Sequence, residues 1–250
     1  MKHLYLLLLI IVFLSIPVES LAWTLVDTQT NFNDGVGHTS LAAPAMNVSS
    51  GSLIVVTLAW AQTSTPSTLT ADCTNCGTDT FTQATNVNST SDGYHLAVFY
   101  KCGATANASY TITGHNSGSF TFSRIIVEQF TGGDTGTCFD KTTGQRQTAP
   151  GTSTDAVTSG STAATTTNGQ LIHGATVNVG SATTITQGTG YTSGTLNYHG
   201  VSTEYKTQSS AGAVAATFTT DSNPATAQYT IVSTYKALVS SRRVMPMVLQ

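Results

Sequence analysis

The chain has 250 residues, of which only 8% are charged, with a formal net charge of −3 and nearly three residues in ten serine or threonine. A typical soluble protein carries about 25% charged residues, so solubility here rests on hydroxyls and amides. The absence of any Lys/Arg cluster argues against nucleic acid and other polyanions, because neutralising phosphates takes several basic side chains on one face. Threonine's β-branch suits strands better than helix interiors, which points to sheet.

Residues 1–22 read as a cleavable secretion signal. Lys2 and His3 form a basic start, residues 4–16 are apolar apart from Ser15, Pro17 breaks the run, and Ser20 and Ala22 are small residues at −3 and −1. Cleavage is therefore expected between Ala22 and Trp23. The run of about 13 residues falls short of the ~18 that span a bilayer as a helix, and no second run follows. A secreted mature chain without a membrane span is the expectation, with residues 23–238 forming one all-β domain. The tail 239–250 reads as poorly ordered.

Short apolar or alternating runs recur between Gly/Asn/Asp/Ser turns, and no stretch shows a helical period. Residues 52–61 are apolar on both faces, as in a central strand covered on both sides. Four cysteines follow the signal: Cys73, Cys76, Cys102 and Cys138. In an oxidising compartment an even number reads as disulfides. Of three possible pairings, Cys73 with Cys76 and Cys102 with Cys138 are favoured, the first as a clip within one loop. Cys-x-x-Cys can also be half of a zinc site or a redox centre, but no second paired motif exists.

The run 95–102 places Leu96, Val98, Tyr100 and Cys102 on one face and Ala97 and Phe99 on the other. Residues 120–130, with Phe122, Ile125, Ile126 and Val127, are expected to cross the core. Residues 149–167 are of low complexity and read as a long surface connection leading into an edge strand, in preference to a linker. Asn168-Gly169 predicts a type I′ hairpin between a Thr-rich strand and one carrying Leu171, Ile172, Ala175 and Val177. Further strands are expected at 183–187, 196–206, 213–219 and 227–238. The architecture expected is a two-sheet antiparallel β-sandwich.

The segments 51–60 (GSLIVVTLAW), 96–101 (LAVFYK), 125–132 (IIVEQFTG), 166–174 (TTNGQLIHG) and 204–206 (EYK), ending in 231–236, occur in an order that resembles a loosely defined family of jelly-roll-like β-sandwich modules of secreted bacterial and phage-associated proteins. The resemblance implies a fold and a place in surface, adhesive or virion-associated proteins. It carries no functional residues, and the four cysteines depart from its usual pattern.

Glu128 and Glu204 are the glutamates left after signal cleavage, and both fall in predicted strands. Jelly-roll glycosidases use such a pair, and a retaining mechanism needs the two carboxyls about 5 Å apart. Against this, Arg124 and Lys206 are suited to ordinary ion pairing with them, and no aromatic-rich cleft strand accompanies them. No Gly-x-Ser-x-Gly elbow occurs. His173 reads as a packed, hydrogen-bonded side chain. His38, His95, His115 and His199 are dispersed without metal-ligand spacing. Asp134 and Asp140 are two carboxylates where calcium takes about six to eight oxygens. Neither a metal nor another cofactor is expected.

Neutral sugars are recognised by aromatic faces together with amide and hydroxyl hydrogen bonds, which a low-charge surface can supply. Tyr191, Tyr198 and His199, close together in a Gly-rich region, are the candidate ligand patch, although such rings also cover sandwich ends. Long Thr-rich edges could equally accept a neighbour's strand, making the chain a self-associating subunit of an appendage, surface layer or virion. Asn47, Asn88 and Asn107 head acceptor sequons that chance explains in so Ser/Thr-rich a chain. The expectation is a secreted, non-catalytic module that recognises a polysaccharide or cell-surface glycan.

Overall fold

The computed structural model describes residues 22–61, 69–89, 91–148, 151, 154–179, 184–221 and 226–238. The expected signal, apart from Ala22, and the tail 239–250 lie outside these residues. The fold is all-β and antiparallel, in several sheets. The first sheet runs β1(Thr24–Ala42), β7(Asn107–Thr131), β3(Leu53–Ala61), β6(Tyr94–Lys101), β5(Thr82–Ser89), with β2(Met46–Val48) and β4(Leu69–Thr74) also pairing with β7. The second runs β12(Thr192–Ser193), β13(Val201–Gln208), β10(Gln170–Asn178), β15(Ala227–Tyr235), β8(Phe139–Thr148), and the third β11(Ile185–Gln187), β14(Thr217–Thr220), β9(Asp155–Thr158).

Side-chain alternation divides the interior into layers. On β3, Leu53 and Val55 meet Leu171 and Ala175 of β10 and Ile231 of β15, between the first two sheets. The intervening Ile54, Val56, Leu58 and Trp60 face a separate cluster with Tyr110 and Ile112 from the early part of β7. That cluster also holds Ile125 and Val127 from later in β7, so the 25-residue strand folds back over its own sheet. Gly114 makes this possible, because a Cβ there would lie 2.7 Å from Leu58 Cδ2. Ile172 and Val232 point the other way, onto Val157, Ile185 and Phe218 of the third sheet. The expected faces of the 95–102 strand are observed, with Leu96 and Val98 in one cluster and Ala97 and Phe99 in the other.

Both favoured disulfides are present, Cys73–Cys76 and Cys102–Cys138. Trp23 is buried between the first two sheets, and its indole Nε1 donates to Gly169 O at 2.9 Å.

Several expected boundaries change. Asn168-Gly169 does not close a hairpin: Gly169, at φ +72°, opens β10 and donates to Gln208 O of β13. The 196–206 strand begins only at Val201, because Asn197 and His199 adopt positive φ in a turn. The 213–219 strand is regular only from Thr217.

The low-complexity segment is tethered by hydroxyls, and is not a free surface connection. Ser159, Thr162 and Thr165 are buried while Ser161, Ala163 and Ala164 are exposed, a repeat of three where a strand repeats every two. Their N–H groups donate to the carbonyls of Ala216, Val214 and Gly212. In return, the N–H groups of Ala216, Val214 and Gly212 donate to the hydroxyls of Ser159, Thr162 and Thr165, at 2.9, 3.2 and 3.0 Å. The hydroxyl takes the place of the strand carbonyl, so a chain with the wrong period still satisfies its neighbour's backbone.

Thr162→Val keeps the shape and deletes the acceptor of the Val214 N–H, so it should cost about 1–3 kcal/mol in denaturant unfolding. Ser161→Ala, at the exposed neighbour, should stay within about 0.5 kcal/mol.

Candidate functional site

Near the middle of β7 the ladder carries an extra residue. Thr121 pairs with Val36 and Ala61, and Ser123 pairs with Asn33 and Trp60, so Phe122 has no partner on either side. It sits at φ +55° and is 47% exposed. A bulge of this kind re-aims a side chain, and a left-handed conformation costs a bulky residue about 1–2 kcal/mol. The sequence assigned Phe122 to the core; the bulge turns it out to solvent instead.

Three of the four described non-glycine residues with positive φ belong to this region: Phe122, Asn197 at 57° and His199 at 50°. The His199 ring stacks on the exposed Phe32 of β1, with centroids 3.6 Å apart, and Tyr198 meets Phe32 edge-on at 6.1 Å. Arg124 lies over the Phe32 ring with Cζ 5.6 Å from its centroid. Its guanidinium donates to His199 O at 3.2 Å and Ser123 O at 3.0 Å, and pairs with Asp34 Oδ1 at 2.6 Å. Beside these groups a crevice of about 210 Å³ is lined by Trp60, Tyr94, Phe122, Arg124, Asn178 and His199. Burial raises the Tyr94 phenol above its usual range, so it stays a hydroxyl donor.

Of the expected ligand patch, Tyr198 and His199 are here and Tyr191 is not. Tyr191 is buried against the third sheet, its hydroxyl donating to Ala215 O at 2.5 Å and its ring lying 3.9 Å from Lys206 Nζ. Phe32, Asp34, Phe122 and Arg124 were not read as site residues. The signals that mark them are the Asn33-Asp34-Gly35 triplet, where the β1 register breaks, and Asn197 to Gly200, where positive φ recurs.

The two glutamates do not meet. The Glu128 carboxylate, buried between the first two sheets, accepts from His173 Nε2 at 2.7 Å and Thr203 Oγ1 at 2.8 Å. Glu204 follows Thr203 on β13 and points to the opposite face, where it accepts the N–H groups of Gly188 at 2.7 Å and Thr217 at 2.9 Å. Both side chains are buried on opposite sides of one strand, so they cannot flank a glycosidic bond. Arg124 pairs with Asp34 and not with Glu128, while Lys206 sits over Tyr191.

Instead the glutamates hold the segment that carries Tyr198 and His199. Glu204 holds Gly188 at its start. Gly194 lies so close to Glu128 that a Cβ would be 2.1 Å from Oε1. Thr203, hydrogen-bonded to Glu128, also accepts the Thr195 N–H at 2.8 Å. At the tip, the Asn197 side chain bonds both the N–H and the carbonyl of Ile185.

The remaining candidates have local partners. His38 meets Ser123 Oγ at 2.7 Å and His115 pairs with Asp72 at 3.0 Å. Asp134 accepts the N–H groups of Gly136 and Thr137, whereas Asp140 accepts from Thr166 and Gln170, so the two do not share a site. Among the described residues no group of three or more His, Cys, Asp or Glu side chains is placed to hold a metal. Comparison with known proteins returns no match, whether with family models, curated proteins or solved structures.

Burial pushes the Glu204 carboxyl up from 4.5 to about 7, against the opposing pull of its two backbone donors and Lys206. Between these values the folded state binds more protons than the unfolded one, so stability should fall as pH rises from about 4.5 to about 7. The contribution is on the order of 3 kcal/mol. Unfolding midpoints measured across this range should show the decline in the wild type and a flatter profile in Glu204→Gln.

Proposed function

We propose that this chain is a secreted, non-catalytic module of jelly-roll-like β-sandwich type that acts at a surface by recognising carbohydrate. The observation that carries this reading is the exposed Phe122, held in a strained backbone beside a crevice lined by aromatic, amide and guanidinium groups. Local strain persists only where the surroundings over-determine it, and it concentrates at ligand sites. Aromatic faces beside hydrogen-bonding groups suit the apolar faces and hydroxyls of a sugar ring. The secretory pattern of residues 1–22 and two disulfides support an extracellular location.

Burial of Glu128 and Glu204 on opposite faces of β13 supports the non-catalytic reading. One edge that a self-assembling subunit could use is β1, whose ladder with β7 carries four register breaks that work against strand addition.

Phe122→Gly provides the test, because glycine tolerates positive φ and removes the ring. Retention of the 23–250 chain on a polysaccharide panel should fall at least about tenfold, equivalent to about 1.4 kcal/mol, while thermal stability stays level or rises. Reducing sugar should not be released in the same wells. Equal retention of variant and wild type would remove Phe122 from the site, and polymerisation without glycan binding would favour the assembly subunit.

A further inference from the structure

Resting on the carbohydrate reading, we infer that the crevice takes a single uncharged sugar unit, and neither a uronic acid nor an amino sugar. The cation at the crevice is already committed. Arg124 is 11% exposed at its side chain and bound to Asp34 Oδ1 at 2.6 Å, with His199 O and Ser123 O taking two further N–H groups. A ligand carboxylate would have to displace Asp34, whose own carboxylate is 43% exposed and repels a second anion. A ligand ammonium that approached Asp34 would meet the guanidinium within the same ion pair.

The pair nevertheless suits a hydroxyl. A guanidinium has five N–H donors, and contacts among the described residues engage three of them, while Asp34 keeps a second carboxylate oxygen. A sugar hydroxyl both donates and accepts, and can bridge such a donor and acceptor without bringing charge. Phe122 and Tyr94 supply apolar surface for the ring, and the Tyr94 hydroxyl adds a polar group to the wall. The volume of about 210 Å³ lies below the roughly 300–1,000 Å³ of pockets for drug-sized ligands, which limits occupancy to one unit.

The test is retention of the 23–250 chain on neutral polymers (cellulose, mannan, galactan), acidic ones (alginate, polygalacturonate) and chitosan, in low and high salt. Neutral polymers alone should retain it, with affinity changing less than about twofold, because no net charge is exchanged on binding. Asp34→Asn, which keeps the turn and frees the guanidinium, should gain salt-sensitive retention on polygalacturonate of at least about tenfold. Salt-sensitive retention of the wild type on uronates or chitosan would overturn the inference and leave the carbohydrate reading standing. Retention on none of these polymers would overturn both. Asp34→Asn binding uronates no better than wild type would show that the ion pair does not set ligand charge.

Discussion

The arrangement depends on one buried carboxylate. Glu128 stands on a central strand of the first sheet, and both partners of its carboxylate, His173 and Thr203, stand on strands of the second. Uncompensated, a carboxylate at that depth costs several kcal/mol, so the second sheet must present both donors in register with β7. Apolar packing between the sheets is non-directional and would tolerate a slip. The hydrogen-bonded triad is directional, and a slip of one residue toward Glu204 along β13 would present that carboxylate to Glu128 in place of Thr203. The alternation that puts Thr203 against Glu128 therefore also sends Glu204 to the third sheet, where two backbone N–H groups meet it. One register thus positions three layers.

The surface patch inherits this register. The segment from Gly188 to Gly200 leaves the third sheet and returns to the second, held at its base by Glu204 and along its length by Thr203 and Glu128. Its tip places the His199 ring on Phe32 of the first sheet and the His199 carbonyl on Arg124. Two sheets thus contribute to one crevice, and the strain at Phe122 and His199 persists because buried contacts around them leave the backbone no cheaper conformation. Glycine would relieve the strain at Phe122 and would present no ring. The tension between conformation and side chain at that position is what singles it out from the scattered exposed apolar residues, such as Val26 and Leu238.

Legibility in the sequence followed periodicity. The two-sided burial of residues 52–61 and the alternating faces of 95–102 could be read directly, because strands that fill a core must carry the pattern. Cysteine parity, with an oxidising compartment, pointed to disulfides, and of three possible pairings the favoured one is observed. The long β1 was not readable, since its half-exposed residues are polar and its register breaks four times. Residues 159–165 looked like a connection because their burial runs in threes and their buried residues are hydroxylic. In a chain so rich in threonine, composition cannot distinguish a Thr that ties down a backbone from one in solvent. The separation of the glutamates was not readable for a related reason: position along two strands says nothing about which sheet faces each one until the register of β13 is known. Tyr191 was joined to Tyr198 and His199 by proximity in sequence, whereas its ring packs inward and its hydroxyl bonds Ala215 O.

With charge so scarce, several of the ion pairs hold distant segments together. Arg146 on β8 reaches Asp92, which also accepts from Tyr229 of the second sheet at 2.9 Å, so a turn of the first sheet is fixed to the second. Asp79 gathers Lys101 at 3.2 Å, Tyr110 at 2.9 Å and the Thr105 N–H at 2.7 Å, and closes the loop that follows the Cys73–Cys76 clip onto β6 and β7. Asp140 collects Thr166 and Gln170 at the entry to β10, with Lys141 at 3.6 Å. These carboxylates join segments far apart in sequence. The exposed ion pairs of a typical surface are worth little, but several of these carboxylates are sheltered and accept multiple donors, which makes them fixed acceptors for loops that apolar packing cannot reach. A surface relieved of other charge is then left to hydroxyls, amides and a few rings, by the same economy that shapes the interior.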